Sequence, residues 1–121
     1  MDLHERQHFD SLLHLAVERL TERSVQRSEG ADNALRQLRD DPDGEGVWLG
    51  DFIDAFFADA LLDNADGAAF VLRALERRPA DLDGVDGRIG DVLQTLAKRA
   101  FRALLVRKLD ESLSQQLAYG A

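Results

Sequence analysis

The amino-acid sequence predicts an all-α fold: a compact bundle of about five helices with a long C-terminal one. Two observations carry the prediction. Apolar residues recur at helical spacing along nearly the whole chain, and no stretch alternates apolar and polar residues as a half-buried strand does. The connecting segments are rich in Asp and Gly, which cap free helix N–H groups and turn the chain.

Leu3, Phe9, Leu12, Leu13, Ala16, Val17 and Leu20 mark a first helix over Leu3 to Gln26. Leu35 and Leu38 mark a short second helix that ends before Pro42. Val47, Leu49, Phe52, Ile53, Phe56, Phe57, Ala60 and Leu61 form the most apolar segment, a third helix. A fourth, over Ala68 to Leu75, is expected to stop at Pro79, because proline lacks the N–H that a helix interior requires. The fifth begins at Ile89 and can run to Leu117. Its later leucines, Leu109, Leu113 and Leu117, step by four from Phe101 and Leu105, and each step turns about 40° around the helix. That drift predicts either a helix that bends around the core or a leucine stripe buried against a second copy of the chain. The second expectation makes Leu109, Leu113 and Leu117 self-association residues of a homo-oligomer such as a homodimer.

The chain carries a weak internal repeat. Residues 41–53 align without gaps to residues 81–93, with five of thirteen positions identical. Upstream, Glu29-Gly30-Ala31 with Leu35-Arg36 matches Asp66-Gly67-Ala68 with Leu72-Arg73. This suggests tandem helix-loop-helix units over 28–62 and 65–105 within a single domain spanning 1–121.

At 121 residues and 45% apolar composition, the chain can bury a core of its own. Its 15 Lys plus Arg against 23 Asp plus Glu, a net charge of −8, argue against direct nucleic-acid binding, which relies on clustered cations. The lack of Cys removes disulfides, thiolate metal sites and a Cys nucleophile, and it suits a cytoplasmic location. No apolar run reaches the length of a membrane span, and Met1-Asp2-Leu3-His4-Glu5 has neither the basic start nor the apolar stretch of a signal peptide.

Three local patterns bear on chemistry. His4-Glu5-Arg6-Gln7-His8 matches the His-Glu-x-x-His string, which sets two imidazoles on one helix face beside a carboxylate able to activate metal-bound water. With His14, the string resembles the extended motif of zinc metalloproteases over about eleven residues, and it admits a small metal-dependent hydrolase as one reading. Ser11 replaces the turn glycine of that motif, so a continuous helix turns His14 away from His8, and the expectation is no metal, no cofactor and no enzyme. Glu5-x-x-His8 also resembles one ligand pair of a di-iron bundle, but the chain has no second histidine pair. Asp41-x-Asp43-x-Glu45-Gly46 resembles the start of an EF-hand loop, yet Phe52 stands where the bidentate glutamate belongs.

The charge map is more informative. From Asp40 to Leu72 there is no Lys or Arg but nine acids, and Lys98, Arg99, Arg102, Arg107 and Lys108 then bring five bases into eleven residues. Asp41, Asp43, Glu45, Asp51, Asp54 and Asp59 are the expected partner-binding residues. Trp48 joins them as an anchor between Gly46 and Gly50, since Trp is favoured at binding hot spots. The expected function is a non-catalytic α-helical interaction protein, an adaptor or small regulator, for a protein partner with a basic surface. The alternative is an acidic inhibitor of phage or defence-system type, whose carboxylates imitate nucleic-acid phosphates for a basic, nucleic-acid-processing protein.

Overall fold

The computed structural model describes residues 2–40, 47–60, 65–75 and 89–119. Among them are five helices and no strand: α1 (Leu3–Arg27), α2 (Ala31–Asp40), α3 (Val47–Asp59), α4 (Ala65–Ala74) and α5 (Ile89–Tyr119). The bundle fold is the one that the periodicity predicts. None of these helices is long and apolar enough to cross a membrane.

Local chemistry explains the ends of α1. Asp2 is its N-cap and accepts the Glu5 backbone N–H at 2.7 Å, satisfying one of the orphan donors of the first turn. At the other end Gly30 N–H bonds Val25 O at 2.9 Å, the six-to-one bond of a Schellman ending. The left-handed position of that motif is filled by Glu29 (φ 57°), with Gly30 next at φ 137°. Gly30 O then accepts the Ala34 N–H at 3.1 Å and so starts α2. α4 closes before Pro79 is reached. Its Ala74 carbonyl accepts Arg6 Nη1 of α1 at 3.2 Å. Pro79 itself lies outside the described residues.

The other four helices pack around α5, which touches each of them. The buried side chains of α5 are Leu93, Ala97, Phe101, Leu105, Leu109 and Leu113, one row at intervals of four. Leu117 packs half-buried at its end. The row winds around α5 and is covered within the chain along its length. Of the leucines expected on a stripe against a second copy, Leu109 and Leu113 are core residues, 3% and 0% exposed, and Leu117 is half-buried. Neighbouring helices cover the drifting row as far as Leu113.

The widest part of the core is aromatic. Phe101 lies edge-on to Phe9 of α1 (6.2 Å between ring centroids) and to Phe57 of α3 (5.5 Å), and stacks with Phe56 (5.9 Å). Phe9 in turn meets Phe70 of α4 at 6.1 Å. Towards its C-terminal end α1 buries small polar residues instead. Thr21 Oγ1 donates to Val17 O at 2.7 Å and lies 3.3 Å from Ser112 Oγ, and Ser28 Oγ donates to Gln37 Oε1 of α2 at 3.3 Å. These bonds satisfy hydroxyls that would otherwise be buried at a cost.

The two short helices of the proposed repeat units, α2 and α4, are ten residues each and both pack on α1 and α5. The acidic turns that carry most of the sequence repeat lie outside the described residues.

Two stability predictions follow from this packing. Phe101→Ala should cost about 3–5 kcal/mol and Leu113→Ala about 2–5 kcal/mol in urea unfolding, because each leaves a cavity in a fully buried site. Glu29→Gly should instead stabilise by about 1 kcal/mol, since glycine adopts the left-handed conformation without the steric penalty of a Cβ. Thermal melting of the same variants checks both signs.

Candidate partner-binding faces

The α3 helix divides its residues cleanly. Leu49, Phe52, Ile53, Phe56 and Phe57 are buried, while Asp51, Asp54, Ala55, Ala58 and Asp59 are exposed. The sequence forces this division. Apolar residues at 49, 52, 53, 56 and 57 occupy one face of a 3.6-residue helix, so the aspartates between them turn to solvent. No basic residue occurs in α3.

Of the expected partner-binding residues, the structure places Asp51, Asp54 and Asp59 together on this helix. Asp41, Asp43 and Glu45 lie outside the described residues. Trp48 falls in the first turn of α3, and its side chain is likewise outside the described set.

The acidic face is partly answered within the chain. Lys98 of α5 reaches Asp54, with Nζ 3.2 Å from Oδ1, and lies over the Phe57 ring at 5.7 Å from its centroid. Arg23 of α1 sits 5.3 Å above the Phe52 ring. So cations flank α3 where it joins the bundle, while Asp51 and Asp59 are exposed.

The basic segment of α5 resolves into two sets. Lys98 and Arg102 are half-buried on its flank, whereas Arg99 and Arg107 are exposed. With the buried row stepping by four, the row two residues along, Thr95, Arg99, Ala103, Arg107 and Glu111, forms the outer ridge, and all five residues are exposed. Sequence reasoning noted the cluster of bases but did not separate its outward members. The step-by-four leucines contain that information, because a buried row fixes the opposite one.

The three histidines do not converge. His4 and His8 are exposed at the start of α1. The carboxylate between them, Glu5, is engaged by Arg73 of α4 at 3.3 Å, and the His8 ring packs on Phe70 with centroids 5.7 Å apart. His14 lies a turn and a half further on, beside an open groove of about 300 Å³ between α1 and α5 that Glu18, Thr21, Glu22 and Ser112 also line. Among the described residues no three His, Asp or Glu side chains gather as a metal site would require. At this end of α1, Arg6 and Glu5 tie the helix to the C-terminal end of α4.

The chain matches no protein-family model, no curated protein and no solved structure. Function must therefore be argued from these faces alone.

Exposed side chains away from core, caps and networks alter stability by about 0.5 kcal/mol or less. The variant His4→Ala/His8→Ala should accordingly melt close to the wild type, and a chelator should leave both melting curves unchanged. A chelator-induced drop confined to the wild type would show a bound metal.

Proposed function

We propose that the protein is a non-catalytic, cytoplasmic α-helical partner-binding protein, an adaptor or small regulator, and that the acidic outer face of α3 docks a protein with a basic surface. The observation that carries this reading is the division of α3. Leu49, Phe52, Ile53, Phe56 and Phe57 are committed to the core, and Asp51, Asp54 and Asp59 stand exposed on a helix with no basic residue. A rigid helix presents these charges at fixed spacing, so recognition need not order a flexible segment first. Single-sign faces of this kind steer encounter and reject wrong partners more than they add affinity. No nucleophile–base pair or phosphate loop competes with this reading among the motifs of the sequence.

The long acidic run favours one second reading, the nucleic-acid mimic. From Asp40 to Asp66 nine carboxylates occur with no Lys or Arg among them, a density suited to a groove built for phosphates. The two readings separate by competition. A mimic and duplex DNA exclude each other on the same basic partner, whereas an adaptor and DNA do not.

Capture from the native host followed by mass spectrometry identifies the partner, and its affinity is then measured between about 50 and 500 mM salt. Exposed charges are screened over about 8 Å at physiological ionic strength, so wild-type affinity should fall steeply across that range. The variant Asp51→Asn/Asp54→Asn/Asp59→Asn should bind at least about tenfold more weakly at low salt and respond less to added salt. Equal affinities for the two proteins at every salt concentration would eliminate the acidic face as the functional surface.

A further inference from the structure

The two outward faces described above are complementary to each other. On α3, Asp51, Ala55 and Asp59 follow one another at intervals of four, and all three are exposed. On the outer ridge of α5, Arg99, Ala103 and Arg107 repeat the same interval with the opposite charge, again all exposed. Eight residues of helix separate the outer members of each set, about 12 Å at 1.5 Å per residue. Acid–alanine–acid on one helix thus matches base–alanine–base on the other in spacing, and the alanine in the middle of each lets two helices approach closely.

Among the described residues none of these four charges has a partner within the chain. Among the described residues Arg6, Arg36, Arg39, Arg73, Lys98 and Lys108 each have a carboxylate partner, but Asp51, Asp59, Arg99 and Arg107 pair with nothing. They also cannot meet each other within one molecule. α3 and α5 pack through Phe56, Phe57 and Phe101, so the inner sides of the two helices face a common core and their outer faces diverge.

We infer that a second copy of this chain docks its α3 face on the α5 ridge, with Asp51 and Asp59 of one copy against Arg99 and Arg107 of the next. The inference rests on reading the outer face of α3 as a docking surface. Because the two faces lie on different helices and point apart, the contact is heterologous and joins copies head to tail, building rings or short chains rather than a closed twofold dimer. Two exposed ion pairs and two alanines make a small contact. The association is therefore weak, reversible and sensitive to salt.

Charge reversal tests it directly. Sedimentation velocity from about 10 µM to about 1 mM at low salt should give an average mass that climbs above the 13.5 kDa of one chain and returns to it near 500 mM salt. Asp51→Arg/Asp59→Arg and Arg99→Asp/Arg107→Asp should each remain monomeric, at least about tenfold weaker in self-association, with unchanged far-UV circular dichroism. An equimolar mixture of the two variants should associate again, because each then offers the other a complementary pair of faces. A wild type that stays monomeric throughout overturns the inference, as does assembly that persists in either variant or fails to return on mixing. The outcome is separable from that of the preceding section: Arg99→Asp/Arg107→Asp leaves α3 intact and should still bind a captured partner at wild-type affinity.

Discussion

The bundle depends on Phe101. Its ring is fully buried and touches Phe9 of α1 and both Phe56 and Phe57 of α3, so three helices distant in sequence are joined at one side chain. Through Phe9 the cluster extends to Phe70 of α4. Aromatic pairs in edge-to-face and offset geometry contribute about 0.5–1.5 kcal/mol each beyond the area they bury. More important than that sum is geometry: α3 is oriented by the two phenylalanines it sets against Phe101, and rotating α3 would lift one of them out of the core. The position of its aspartates is therefore a consequence of core packing. The acidic face is as rigid as the aromatic cluster beneath it.

A second constraint follows from the buried row of α5. A straight apolar row at intervals of four turns about 40° at each step, so over the length of α5 it sweeps well around the helix. A single flat neighbour cannot cover such a row. Four helices do so in succession, which is why α5 touches them all. The C-terminal part is met by α1 and α2 through small and polar contacts, Thr21 with Ser112 and Arg39 with Asp110 and Ser114. The outer ridge winds at the same pitch as the buried row, which carries Arg99 and Arg107 outward together.

Helix content and order were legible in the sequence because each helix has an apolar stripe strong enough to be read alone. The boundaries were legible to within a few residues, apart from the termini of the two short helices, where α2 extends back to Ala31 and α4 begins at Ala65. Periodicity does not say what covers a stripe, so it left two alternatives open for the end of α5. Leu109, Leu113 and Leu117 carry the same signal whether a partner or the chain's own helices bury them. Among the site residues, exposure of Asp51, Asp54 and Asp59 was readable from the wheel of one helix. The Asp54–Lys98 and Glu5–Arg73 pairs were not, because they join residues 44 and 68 positions apart. Nothing local encodes such contacts. The His-Glu-x-x-His string gives a further case: its Glu5 meets Arg73 and its His8 ring meets Phe70, contacts the string itself does not announce.

The distribution of charge has a further consequence for how two molecules can meet. Residues 1–60 carry 6 bases and 14 acids, a balance of −8, and residues 61–121 carry 9 of each, a balance of zero. Because α5 packs against all four other helices, these halves interleave in space and the imbalance appears as single-sign faces: two α3 faces repel each other, as do two α5 ridges. Only the mixed approach sets the basic ridge of α5 against the acidic helix α3. At long range the net charge of −8 opposes association in every orientation, but that repulsion is spread over the molecule and is largely screened beyond a Debye length. The attraction between matched side chains acts within a few ångströms, where screening is weaker. Charge separation between these two faces therefore favours the α3-to-ridge contact proposed above over contacts between like faces.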